Sequence, residues 1–225
     1  MSTIIIAPSG QQPGHLPQPV AIAPAYGAAK RTFDLLVASV LVVLLSPLLA
    51  ALACIVKASS PGPVLFRQTR VGRGGQAFEM LKFRSMRADA DQSVHAAHVR
   101  GRIQEGKPLE KLHNDTRITA VGRVLRATSL DELPQLINVL RGEMSLVGPR
   151  PALPYEVELY TPAMRQRLLV TPGITGLAQV QSRGTGTLAE YVAFDLVYVA
   201  NPTLWQDLKI LASTLPAVLR RNGAA

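Results

Sequence analysis

The tightest constraint on this fold is the stretch from Leu35 to Val56, LLVASVLVVLLSPLLAALACIV, which holds no charged residue and is interrupted only by Ser46-Pro47. At about 1.5 Å per residue it makes a helix of roughly 33 Å, enough to cross a hydrocarbon core of about 30 Å. Pro47 lacks the amide that would bond the Val43 carbonyl and its ring crowds that carbonyl, so a kink is expected there, with Ser46 placed to satisfy freed backbone groups. Lys30 and Arg31 precede the stretch, and Lys57, Arg67, Arg70 and Arg73 follow it. Basic residues mark the cytoplasmic flank of a spanning helix, and here both flanks carry that mark. Two topologies stay open: a spanning helix with a tolerated proline, and a helix-break-helix hairpin that enters and leaves by one face. A cleaved signal peptide fits poorly. An uncharged tail of 29 residues comes first, and the apolar core exceeds the usual length of about 7 to 15 residues.

A chain of 225 residues allows one moderate domain besides this anchor. Apolar residues at 48% against 17% charged fit a globular protein with a membrane segment better than a disordered or nucleic-acid-coating one. The net charge of +9 calls for an anionic partner, and beside a membrane stretch it favours lipid headgroups and lipid phosphate. The single cysteine, Cys54, lies inside the apolar stretch, which rules out a disulfide framework and a cysteine metal site. Residues 1–29, with five prolines and no periodicity, read as a disordered tail. After the anchor, Val64 to Thr69 and Ala77 to Phe83 form two strands around the turn Gly72-Arg73-Gly74-Gly75. From Lys57 to Arg87 seven basic residues face the single Glu79, a surplus that suits a surface beside anionic lipid. His95, His98 and His113 lie in a polar segment where no Asp, Glu or Cys completes a metal-ligand spacing. Farther on, 161–170 and 188–198 are expected to be helical, with PGITG as a turn between them. The last helix spaces Leu204, Leu208, Leu211 and Leu215 on one face near Trp205, which suits an interfacial helix and a core-packing helix equally.

The chemistry concentrates in NDTRITAVGRVLRATSLDELPQLINVLRGEMSLVGPRP. Ser129 to Glu132 matches an S-x-x-E capping box, while Pro134 suits the first turn of a helix that starts at Asp131. Either register puts Asp131 at a helix N-terminus, where the dipole and unpaired amides stabilise negative charge and favour phosphate. Arg117, Arg123 and Arg126 lie just upstream and Arg150 just downstream, with Glu143 as the other nearby acid. Cations keep a carboxylate ionised, and an ionised Asp can attack a phosphoryl group. Two adjacent carboxylates also suit Mg²⁺, which binds one or two of them together with substrate phosphates.

Six ordered runs carry a resemblance: KRTFDLLVA…LLSPLL, SPGPVLFRQTRVG, FEMLKFRSM, the DTRIT-to-GPRP segment, PGITGLAQV and LW-DLKIL. Together they cover Lys30 to Arg221 and resemble the bacterial sugar transferases, monotopic phosphoglycosyl transferases acting on polyprenyl phosphate. The resemblance implies transfer of a sugar 1-phosphate from a UDP-sugar to undecaprenyl phosphate, release of UMP, and the start of surface or exopolysaccharide assembly. It implies a re-entrant membrane helix broken at Ser46-Pro47, which favours the hairpin topology. It makes Asp131 the nucleophile, forming a phosphosugar-aspartate, with Glu132 assisting in metal or proton handling. Arg126, Arg117, Lys82 and Arg84 become phosphate-binding candidates, Pro149-Arg150-Pro151 part of the nucleotide site, and Asp131 and Glu132 the Mg²⁺ ligands.

The expected fold is an α/β (α+β) mixture, mostly helical with a small β-hairpin. It divides into a tail over 1–29, a re-entrant helix over 30–57, and a cytosolic catalytic domain over 58–225 with interfacial amphipathic helices. That organisation puts the protein on the bacterial inner membrane with both termini cytoplasmic. Expected partners are the UDP-sugar, undecaprenyl phosphate and membrane lipid, without nucleic acid, and a homodimer is allowed. The chain departs from the family pattern at Thr116, where many relatives have Pro, and at Gln181-Ser182-Arg183, where x-Gly-Arg is commoner. Without the larger relatives' extra spanning helices and appended domain, it resembles a minimal catalytic unit. Two other classes compete. A membrane-anchored binding domain has no need of paired carboxylates, and a nucleotide-sugar hydrolase would not need the lipid phosphate.

Overall fold

A computed structural model describes residues 24–91, 93–109, 115–182 and 186–219. The apolar stretch forms helix α1, Pro24–Ser59, which begins ahead of the boundary expected at residue 30. Residues 1–23 of the expected tail lie outside the described residues. Helical backbone runs through Pro47, and the Ser46 hydroxyl donates to the Val43 carbonyl at 2.8 Å, the group that Pro47 leaves without its usual donor. The span from Tyr26 to Ser59 is long and apolar enough to cross a membrane. Its outer face stays bare, with Val43 71% and Leu44 69% exposed, which no helix in the core of a water-soluble domain would tolerate.

Both ends of α1 are nevertheless bound to the globular body. At its start, Lys30 Nζ lies 3.1 Å from Asp34 Oδ1 and 3.3 Å from Asp207 Oδ2, while Arg31 donates to the carbonyls of Val139 and Leu140 at 2.6 and 2.9 Å. At its end, buried Arg84 donates to the Ser60 carbonyl at 2.6 Å and reaches that of Val56 at 3.4 Å. Between these ends one apolar face is continuous. Phe33, Val37, Ala38 and Leu41 join the main core, and Leu49, Leu52, Ala53 and Val56 join a second core around Phe83 and Leu125.

The hairpin forms as expected, with its first strand starting one residue later and ending two later: β1, Leu65–Val71, pairs antiparallel with β2, Ala77–Phe83, from Leu65↔Phe83 to Val71↔Ala77. Its turn uses Gly74 and Gly75 at φ 68° and 80°, the left-handed region that glycine enters without a Cβ clash. Helix α2, Ser93–Gln104, carries the polar segment, and α3, Ala120–Thr128, leads to the dyad. Helix α4, Gln135–Arg141, then fills the space between α1 and the hairpin.

The strands β3, Ser145–Val147, and β4, Gly173–Thr175, pair in parallel, Ser145 beside Gly173 and Val147 beside Thr175. Sequence reading had only a Gly-Pro loop and a turn at these places. Strands of three residues have no periodicity to detect, and their pairing spans a long crossover. Within that crossover α5, Pro154–Val157, and α6, Pro162–Arg165, are single turns, so the helix expected over 161–170 is split by a change to 3-10 geometry at Gln166–Leu169. The chain closes with α7, Leu177–Ser182, α8, Leu188–Ala200, and α9, Leu204–Leu219. On α9, Asp207 and Ile210 are buried, whereas Trp205 and Leu208 are exposed, so the helix serves the core and leaves an apolar outer edge.

Candidate active site

The dyad is placed by two elements, one tied to β2 and the other to the residues just after it. Asn138 of α4, fully buried, behaves like a strand edge: its Oδ1 accepts from Leu81 N–H at 3.0 Å and its Nδ2 donates to the Glu79 carbonyl at 2.8 Å. This fixes the register of α4 against β2, and Lys82, the next residue along, meets Glu132 with Nζ 2.7 Å from Oε1. On the other side, Thr119 caps α3 by accepting from Gly122 N–H at 2.9 Å, and Arg126 Nε donates to Ser85 Oγ at 2.8 Å. Lys82 and Ser85 thus anchor the two sides of the dyad from one short segment of chain.

Between them the backbone turns sharply. Ser129 ends α3 in the left-handed region at φ 57°, the one non-glycine residue with positive φ among those described. A left-handed serine costs about 1 kcal/mol or more. The following 3-10 turn, Leu130–Glu132, holds Asp131 at 7% exposure. The capping box expected at Ser129–Glu132 does not form: Ser129 makes no side-chain cap bond, and the Glu132 carboxylate reaches Lys82 instead. Nor does a helix start at Asp131, because the α-helix begins at Gln135 with Pro134 before it.

Electrostatics link Asp131 to the arginine that precedes it. Burial pushes the Arg126 guanidinium below its usual range, while Asp131 and Asp115 pull it back up. Arg117 grips Asp115 with both arms of its fork, at 2.8 and 2.7 Å, and holds that carboxyl below the usual carboxylate range. Lys82, Arg126 and the dyad therefore form one cluster, to which Arg117 is joined through Asp115. Arg84 is apart from it, at the C-terminal end of α1.

Pro149, Arg150 and Pro151 lie just after β3, with both prolines buried and Arg150 half-buried. Arg70 of β1, on the sequence only part of a basic surplus, ties this loop to the hairpin. It is 4% exposed, donates to the Pro151 carbonyl at 2.9 Å, and feels both Arg150 and Glu132. Burial first, and Arg150 second, push its guanidinium down to about 10. Nothing in a sequence distinguishes a basic residue destined for burial from its exposed neighbours. A cavity of about 250 Å³ lined by Tyr26, Lys30, Arg31, Asp34 and Arg73 contains none of the predicted site residues.

No group of three or more His, Cys, Asp or Glu side chains able to hold a metal occurs among the described residues. His113 lies outside them. Asp131 and Glu132 remain as two adjacent carboxylates, a donor set that fits Mg²⁺ if substrate phosphates complete its shell. Such a site must share Glu132 with Lys82.

The exposed apolar helix suggests membrane association, and a buried carboxylate beside an arginine and a lysine–glutamate pair is a candidate site for phosphoryl chemistry. The chain belongs to the bacterial sugar transferase family, whose model matches residues 25–221. It is 44% identical to the exopolysaccharide production protein ExoY of Rhizobium meliloti, over 96% of this chain and 97% of that one. It is 43% identical to a UDP-glucose:undecaprenyl-phosphate glucose-1-phosphate transferase of Caulobacter vibrioides, over 87% of this chain and 71% of the relative. An undecaprenyl-phosphate galactose phosphotransferase of Salmonella typhimurium is 45% identical over 87% of this chain, a match that spans 41% of that longer protein. The chain is accordingly an enzyme of the phosphoglycosyl transferase class.

Proposed function

We propose that this protein transfers a sugar 1-phosphate from a UDP-sugar to undecaprenyl phosphate and so begins assembly of an exopolysaccharide. The observation that carries the proposal is the position of Asp131, buried in a turn between Arg126 and the Lys82–Glu132 pair. In the first step an Asp131 carboxylate oxygen attacks the β-phosphorus of the donor. The bond from that phosphorus to the bridging oxygen breaks, and UMP leaves with the electron pair. In the second step an oxygen of the lipid phosphate attacks the phosphosugar-aspartate, and the Asp131 carboxylate is released. Arg126 and Lys82 would neutralise the phosphoryl oxygens as charge shifts. Asp131 and Glu132 would hold Mg²⁺, which when bound screens the donor diphosphate from the attacking carboxylate.

Two phosphates, one soluble and one carried on lipid, must reach this turn. A re-entrant α1 would hold it at headgroup depth. Support comes from the two bound ends: Lys30 and Arg31 at the start of α1 and Arg84 at its end grip one and the same domain. A spanning helix would leave those ends on opposite sides of the membrane. We expect tags at residues 2 and 225 both to report the cytoplasm of a bacterial inner membrane, and a periplasmic N-terminal tag would overturn the hairpin.

The activity is tested by UMP release from a panel of UDP-sugars with nanodisc-held protein and Mg²⁺, with and without undecaprenyl phosphate. Multiple-turnover release that requires the lipid is the expected result, with at most one UMP per enzyme in its absence. Multiple-turnover release without it would mark a hydrolase, and none from any sugar would remove the UDP-linked donor.

A further inference from the structure

From Gly148 to Ala152 the loop after β3 is held at every residue. Gly148 N–H donates to Thr175 O at 2.9 Å, and the four carbonyls that follow each accept from a different donor. Pro149 O accepts from Gly173 N–H at 2.9 Å and Ala152 O from Val71 N–H at 2.9 Å, both backbone contacts of the small sheets. The two carbonyls between them have no strand beside them. Arg150 O accepts from Arg167 Nη2 at 3.0 Å, and Pro151 O from Arg70 Nη1 at 2.9 Å. Two buried arginines thus finish a clamp that backbone alone could not close.

Arg167 is held in turn by Asp195 of α8. Its Nη2 lies 2.5 Å from Asp195 Oδ2, its Nη1 donates to the Tyr160 hydroxyl, and Asp195 and Arg167 are 1% and 5% exposed. As a stabilising device this pair is poor. Arg167 Nε and both Asp195 carboxylate oxygens have no hydrogen-bond partner among the described residues, and a buried ion pair left incomplete gains little over apolar packing. What the pair does provide is a defined position for the Arg150 carbonyl.

We propose that Asp195 and Arg167 are positioning residues for the donor: they set the geometry of the Pro149-Arg150-Pro151 loop and through it the affinity for the nucleoside diphosphate, without touching it. This rests on assigning that loop to the nucleotide site. Burial pushes the Asp195 carboxyl up to about 6, against the pull of Arg167 and Arg150. Arg167 from its 3-10 turn and Arg150 from the loop are the charges that face it. Tyr160 and Glu156 act on Arg167 from the α5 side, and α7, packed on α8, brings no titratable residue. As pH falls through about 6 the carboxylate is neutralised, Arg167 loses its counter-ion, and the clamp on Arg150 loosens.

The test measures binding of UDP-glucose and UDP-galactose to the full chain in nanodiscs, in an Asp131→Asn background so that chemistry does not intervene. The donor diphosphate has no proton to gain near pH 6, so a change there belongs to the protein. Affinity should fall as pH drops through about 6. Asp195→Asn and Arg167→Lys should each weaken binding by about 3- to 30-fold above that pH. Asp195→Asn should flatten the profile, and affinity for undecaprenyl phosphate should not move. A purely structural pair would lower the folded fraction and leave donor affinity and its pH profile unchanged. If Arg150→Ala weakens binding while both clamp variants match their parent, the clamp is overturned and the donor site stands. If neither nucleotide sugar binds, or Arg150→Ala has no effect, the nucleotide assignment falls and the clamp with it. Should Asp195→Asn not fold, a flat profile in the unsubstituted loop overturns the inference.

Discussion

Asp131→Asn is expected to lower sugar-phosphate transfer by on the order of 10³-fold or more while the protein still folds and still partitions to membranes. The carboxamide is nearly isosteric, so the turn can keep its shape. It cannot serve as an anionic nucleophile, and any adduct it formed would lack the leaving-group behaviour of a carboxylate. Arg126 loses one of the two carboxylates that face it, a change worth about 1 to 2 kcal/mol of stability at most, because Asp115 remains. The checks are UMP release, lipid-product formation and thermal unfolding in the same membrane preparation. Parental turnover would remove Asp131 from the role of nucleophile, and loss of folding together with activity would leave its burial as the whole explanation.

Gly122→Ala should be nearly as damaging, although Gly122 touches no predicted substrate group. A Cβ there would lie 1.9 Å from the Ser85 carbonyl oxygen and 2.6 Å from its carbon, and both are backbone atoms that cannot rotate away. The first turn of α3 therefore has to lift off the chain that follows β2. That lift separates Arg126 from Ser85 Oγ and shifts the whole helix whose end delivers Ser129 and the dyad. Overpacking of this kind costs about 1 to 3 kcal/mol. A displacement of about 1 Å at a reacting group can cost about 10²-fold in rate. The expected result is a lower unfolding temperature and a loss of turnover larger than the fraction unfolded explains. A variant with parental kinetics would mean that the α3–Ser85 contact does not set the geometry of the site.

Much of this fold is written locally. The uncharged run from Leu35 to Val56, the alternation and glycines around Gly74, and the amphipathic spacing of the last helix each determine one element through contacts close in the chain. So α1, the hairpin and α9 appear near their expected places. The elements not foreseen, β3 and β4, consist of three residues each and exist because they pair with one another across the crossover. The Ser129 turn differs from the expected capping box for a related reason. S-x-x-E describes a helix start, but here the preceding helix ends on Ser129, and Lys82, remote in sequence, takes the Glu132 carboxylate.

The residue types of the candidate site are proposed from the sequence because phosphate chemistry needs carboxylates and arginines together, and here those lie within one segment. Their arrangement is not. Three of the basic residues have distinct duties: Arg126 faces the dyad, Arg117 holds Asp115, and Arg84 closes the end of α1. Arg70 and Arg167 join successive carbonyls of the Arg150 loop from strands and turns that the chain reaches far apart. The chain order alone determined the long apolar stretch, the family and the two candidate carboxylates, since each depends on motifs or composition over neighbouring residues. Only the folded molecule decided which arginine faces which oxygen, because a guanidinium finds its partner by burial and distance across elements, and neither is a property of local sequence.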